Sequence, residues 1–154
     1  MKYFRTDGIR GEAYTEVTLQ LAYLIGLFFK DNEKPIVIGM DTRASSPDIA
    51  HAIYEGLNGH KDIRFAGVIP TPGLMYYTLE NNCIGIMITA SHNPYKDNGI
   101  KVVDSGYKIT KKYSEEIETF IEHNKEVVFN DGSSCDNVFF FKNICISITI
   151  IYII

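Results

Sequence analysis

Four short apolar runs, each parted from the next by a longer connection, most constrain what this chain can fold into. They are "PIVIGM" at 35–40, "IRFAGVI" at 63–69, "IGIMI" at 84–88 and "IKVVD" at 100–104. Short runs rich in β-branched residues, bounded by polar or turn-forming residues, read as buried strands. The stretches around them have helical periodicity instead. Residues 15–30 place Val17, Leu21, Leu24, Ile25 and Phe28 on one stripe, with Thr15 as the expected cap and Glu16 at the positive helix end. Ser46-Pro47 and Thr71-Pro72 each read as a cap followed by proline at the first helical position. The first opens a helix through Ile49, Ala52, Ile53, Gly56 and Leu57, and the second runs to about Asn81. A last stripe, Tyr113, Ile117, Phe120 and Ile121, follows the fourth strand.

Strands joined by helices imply right-handed crossovers and helices on both faces of a sheet. The expected fold is therefore α/β: three layers, α/β/α, around a mostly parallel sheet of about four strands. Asp97-Asn98-Gly99 reads as a turn, with glycine free to take positive φ. The strand after it is free to run antiparallel, which makes the sheet mixed. Such sheets place chemistry in the loops at the carboxyl ends of their strands. Three loops qualify: "DTRASS", "PTPG" and "TASHNP".

With 154 residues the chain is long enough for one ordinary domain with its own core. A net charge of -4 and no basic stripe argue against a nucleic-acid partner. Cys83, Cys135 and Cys145 form no CxxC pair, which suits a reducing compartment and neither a disulfide framework nor a zinc site. "MKYFRTDGIRG" has no apolar core of a secretory signal, so the expected location is the cytoplasm. The end of the chain, "VFFFKNICISITIIYII" from Val138, is unlike the rest. Lys142-Asn143 interrupts the only window approaching the roughly 20 apolar residues of a membrane span, and no membrane partner is expected.

"TASHNPYKDNGIK", Thr89 to Lys101, holds the chemistry. In an extended loop adjacent side chains point apart, so His92 is poorly placed to activate Ser91 as a base. The Gly-x-Ser-x-Gly elbow of an α/β-hydrolase is absent, because Ala90 and His92 flank the serine. Two readings of the residues stand: a polar turn between strands, or an exposed hydroxyl that carries a phosphoryl group. The second needs a firm loop and nearby cations, which Pro94, Lys96 and Lys101 supply.

This loop closely resembles the phosphoserine loop of the α-D-phosphohexomutase superfamily. "YFRTDGIRG" (Tyr3 to Gly11) resembles its opening motif, and "GMDTR" (Gly39 to Arg43) and "TPG" (Thr71 to Gly73) stand in the expected order. "TDGIRG" with "DNGIK" is most similar to the phosphoglucosamine mutase branch, although Arg5 stands where that branch usually carries glycine. The phosphomannomutase and phosphoglucomutase branches are the alternative.

The resemblance implies that Ser91 is phosphorylated in the resting enzyme and exchanges its phosphate with a phosphosugar through a bisphosphate intermediate. It implies that a phosphate oxygen on Ser91 ligates Mg²⁺, and that His92 orients the sugar or phosphate. Arg10 and Lys101 would flank the transferring group, Lys101 also as proton donor or acceptor. Asp41 and Arg43 are expected to form a local ion pair that shapes their own loop.

The resemblance covers about residues 2–125, so residues 1–128 are expected to be the first of the family's four domains. Domains II–IV, with their aspartate-rich Mg²⁺ loop, have no counterpart here: no Asp-x-Asp-x-Asp-Arg stretch occurs. Residues 129–154 are expected to be an atypical apolar tail, the product of truncation or frameshift. Turnover by the isolated chain is expected to be negligible. A non-catalytic remnant or binding module is the alternative of another class.

Overall fold

The apolar runs do become strands, and the chain around them adds more. The computed structural model describes residues 2–5 and 8–130. In chain order the elements are β1 (Phe4–Arg5), β2 (Gly8–Glu12), α1 (Leu19–Phe29), β3 (Ile36–Met40), α2 (Ser46–Gly56), β4 (Ile63–Val68), α3 (Thr71–Asn81), β5 (Ile84–Ile88), β6 (Asp97–Asp104), β7 (Tyr107–Lys108) and α4 (Lys111–His123). The strands form one seven-stranded sheet in the order β1-β2-β6-β5-β3-β4, with β7 paired to β6.

The α/β class holds, while the sheet is larger and less parallel than expected. Among the described strands only β3–β4 and β3–β5 pair in parallel. The pairs β1–β2, β2–β6, β5–β6 and β6–β7 are antiparallel. The connections decide this. β3, β4 and β5 are joined through α2 and α3, as a parallel crossover requires, whereas β5 reaches β6 through residues 89–96 without a helix. The β1–β2 pair comes from the N-terminal motif, whose glycines and charges hid it from the strand search.

Alternation along the central strands sorts the two faces. Ile36 and Ile38 of β3, and Ile84, Ile86 and Ile88 of β5, pack into one large cluster with α1, α2 and α4. Val37 and Met87 turn the other way, against Leu74 of α3. This is the expected three-layer arrangement. Each fully buried isoleucine contributes about 1.5–3 kcal/mol of transfer free energy. α1 and α2 touch at glycines: a Cβ on Gly26 would lie 2.1 Å from the Ile53 carbonyl oxygen, and one on Gly56 would lie 2.1 Å from that of Tyr23.

Helix starts differ from the sequence expectation by a few residues. α1 is capped by Thr18, whose hydroxyl accepts from the Leu21 N–H, and not by Thr15. Glu16 lies outside the helix and accepts the Glu12 N–H at 2.9 Å. Ser45 rather than Ser46 is the N-cap of α2, and Pro70 rather than Thr71 that of α3. Phe129, the first residue of the expected tail, packs on Tyr23 with ring centroids 5.4 Å apart. The tail from Val138 lies outside the described residues.

Candidate active site

The loop of residues 89–96 leaves the carboxyl end of β5, the position the fold reserves for chemistry. Ser91 and His92 are both exposed on it. The loop is not extended at the serine: Ser91 has φ 57°, the left-handed region, which costs a residue with a Cβ about 1–2 kcal/mol. Opposed side chains in an extended strand therefore do not describe this turn. Among the described residues no hydrogen bond joins Ser91 to His92. The Ser91 N–H donates to Thr89 Oγ1 at 3.0 Å.

Arg43 holds this conformation from beneath. Its guanidinium is buried, and its Nη1 donates to the carbonyls of Pro94 at 2.6 Å and Asp97 at 3.0 Å. Its Nη2 donates to the carbonyls of Ser91 and Asn93, both at 3.0 Å. Nε pairs with Asp41 Oδ2 at 3.0 Å. The expected Asp41–Arg43 ion pair is present, and the arginine reaches well past it. A lone DTR motif gives no hint of this, because the acceptors lie about fifty positions downstream.

A buried polar chain extends the support into the fold. Asn98 is fully buried and donates to Ser45 Oγ at 2.8 Å and Ser46 Oγ at 3.0 Å. Its Oδ1 accepts the Gly99 N–H at 2.9 Å. Ser46 Oγ in turn donates to Asp41 Oδ1 at 2.9 Å. Burial pushes the Asp41 carboxyl up, but the Arg43 N–H, the Thr89 and Ser46 hydroxyls and the Arg43 guanidinium together hold it below the ordinary carboxylate range. Asn98 and Gly99 are thus not the expected turn. Both belong to β6, and Gly99 is not among the glycines with positive φ. It is needed for close approach, since a Cβ there would lie 2.5 Å from the Ile9 carbonyl oxygen and 2.7 Å from that of Thr89.

The sheet brings the two cationic candidates alongside. Arg10 of β2 pairs opposite Gly99, two residues before Lys101 in β6, so both side chains rise from the same face. Each has a glycine for a neighbour: a Cβ on Gly8 would lie 3.1 Å from Lys101 Cγ. Arg10 Nη1 donates to Asn93 Oδ1 at 3.2 Å, and Asn93 Nδ2 donates to Asp97 Oδ2 at 2.9 Å. Arg10 is therefore tied to the serine loop across 83 positions. Lys96 adds an ion pair with Glu12 at 3.2 Å. The cavity beside Lys101, also lined by Arg5, Thr71 and Lys108, is about 70 Å³, well below the roughly 300–1,000 Å³ of a small-molecule pocket. Among the described residues no group of three His, Cys, Asp or Glu side chains is placed to hold a metal ion, and no helix is long and apolar enough to cross a membrane.

Comparison with known proteins gives the family and the fold. Residues 1–128 match the family model described as phosphoglucomutase/phosphomannomutase, alpha/beta/alpha domain I. The chain is 43% identical over 141 residues to the phosphoglucosamine mutase of Fusobacterium nucleatum, covering 84% of this chain and 31% of that protein. It is 48% identical over 126 residues to the phosphoglucosamine mutase of Prochlorococcus marinus strain MIT 9215, covering 77% and 28%. A crystal structure of a phosphoglucomutase/phosphomannomutase family protein from Burkholderia thailandensis matches with a TM-score of 0.71 at 25% identity, over 80% of this chain and 30% of that one. The chain thus spans about 30% of the length of the curated relatives it matches. A domain I match over most of its length, carried on a fold shared with a solved relative, shows that the chain belongs to the phosphoglucomutase/phosphomannomutase family.

Proposed function

We propose that this chain is the phosphoserine-bearing domain of a phosphosugar mutase that exchanges glucosamine 6-phosphate and glucosamine 1-phosphate. The observation that carries it is an exposed serine held at positive φ on a clamped strand-end loop, with a cation tied to that loop. The choice of amino sugar rests on relatives that are phosphoglucosamine mutases.

In the forward step the Ser91 Oγ–P bond breaks as a bond forms from phosphorus to the sugar's free hydroxyl oxygen. The hydroxyl proton leaves, and Ser91 Oγ regains a proton. The bisphosphate then returns its other phosphoryl group to Ser91 by the reverse bond changes. Arg10 and Lys101 offset charge on the transferring group, and Lys101 is the proposed proton donor and acceptor. His92 orients the sugar or its phosphate.

Mg²⁺, when bound, would neutralise charge on the phosphoryl oxygens. The described residues do not make its site by themselves, because Asp41 and Asp97, the carboxylates at the loop, are engaged by Arg43 and Asn93. This chain's share would be an oxygen of phosphorylated Ser91. The other ligands, and the walls of a sugar pocket, would come from further domains like those of the longer relatives. A cytoplasmic location accords with a phosphosugar substrate and the free thiol of Cys83.

Incubation with a sugar 1,6-bisphosphate followed by intact-mass measurement tests the proposal. Wild type should gain one phosphate and Ser91→Ala none, while mutase turnover by the 154-residue chain alone stays negligible. A folded wild type that gains no phosphate would favour the binding-module alternative and sink the phosphoserine assignment.

A further inference from the structure

We infer that Arg43 is the positioning residue of the serine loop, and that it contacts neither substrate nor phosphate. The guanidinium has five N–H donors and no acceptor. Five acceptors surround it: Asp41 Oδ2 and the carbonyl oxygens of Ser91, Asn93, Pro94 and Asp97. Each nitrogen has as many partners as protons, so no donor is left for a ligand. The side chain is only 9% exposed, which keeps water from replacing any of the four carbonyl bonds.

This arrangement also sets which side of the loop an anion would meet. The described peptides are all trans, so a carbonyl turned under toward Arg43 sends the N–H of the next residue to the opposite side. For the Ser91 and Pro94 carbonyls those are the N–H groups of His92 and Tyr95. The loop therefore keeps repelling carbonyl oxygens beneath it and turns amide donors outward beside Ser91, as anion-binding turns do. A lysine in place of Arg43 would keep the charge but offer three donors from one nitrogen, too few and too close together to hold four carbonyls. The benefit to phosphoryl transfer rests on the function proposed above; the clamp itself does not.

Residue-resolved amide hydrogen exchange on the whole chain tests the clamp without requiring activity. The reporters are the Asn93 N–H, bonded to the Ala90 carbonyl, and the Asp97 N–H, bonded to that of Pro94. Arg43→Met and Arg43→Lys should each speed exchange at both reporters at least tenfold, while the amides of β5 and α1 keep their protection. Phosphate uptake by Ser91 from a sugar 1,6-bisphosphate should slow at least tenfold in both, with no rescue by lysine. Wild-type protection of the reporters in Arg43→Lys would overturn the inference. So would protection lost evenly from loop and sheet in both variants, which would make Arg43 a residue of general stability. If wild type takes up no phosphate, the proposed function fails and the exchange result alone judges Arg43.

Discussion

Replacing Asn98 with alanine discriminates sharply between a turn residue and a buried strand residue. In an exposed Asp-Asn-Gly turn the change would cost a few tenths of a kcal/mol. In this fold Asn98 is fully buried and makes three hydrogen bonds: to Ser45 Oγ, to Ser46 Oγ and from the Gly99 N–H. At a net contribution near 1 kcal/mol each, with no water able to substitute, the loss should be about 3 kcal/mol. Asn98→Asp, nearly isosteric, should be at least as harmful. The carboxylate has no N–H to give, and the Ser46 hydroxyl proton is already donated to Asp41. Urea unfolding followed by far-UV circular dichroism measures both, with the m-value as a check that the compact state is unchanged. A loss below about 1 kcal/mol at constant m in both variants would refute the buried-network account, and with it the claim that β6 begins at Asp97.

Three further outcomes follow from particular contacts. Gly56→Ala should destabilise by about 1–3 kcal/mol despite alanine's better helix propensity, because its Cβ would lie 2.1 Å from the Tyr23 carbonyl oxygen; a higher urea midpoint would contradict this. Ser91→Gly should be about 1 kcal/mol more stable than Ser91→Ala, since glycine takes φ 57° without strain; equal midpoints would remove the case for backbone strain at the serine. Glu118 ties the N-terminal strand to α4 by accepting the N–H groups of Lys2, Tyr3 and Phe4. Burial pushes its carboxyl up, but those three donors bring it below its ordinary 4.5. A folded pKa below the unfolded one means the stabilisation is complete above about pH 4.5 and fades as pH falls through the depressed value. Glu118→Gln should therefore lower stability by about 1 kcal/mol at pH 7 and flatten the acid limb below about pH 4.5; an unchanged acid limb would count against it.

The strands β3, β4 and β5 and the four helices were legible because their residues carry local signals. Buried strands need short β-branched runs, and amphipathic helices need a stripe, whatever the partner. β1 and β2 carried no such run. "FRTDGIRG" becomes strand because β6 offers it an edge, and its glycines there serve close packing, as Gly8 does under Lys101. Asp97-Asn98-Gly99 misled for a related reason. The same three residues suit an exposed turn or a crowded strand end, and only the neighbours Ser45, Ser46 and Ile9 decide between them.

For the candidate site, the sequence and its family resemblance supplied the candidates: a serine in the loop after a buried strand, with Arg10, His92 and Lys101 as its proposed companions. Tertiary structure decided how they are held. Hydrogen bonds depend on distance and direction in space, and those between Arg43 and the serine loop span 48 to 54 positions of chain. No local pattern encodes such contacts, because the sheet must first set β3 beside β5 before the loop that follows β3 can reach the one that follows β5.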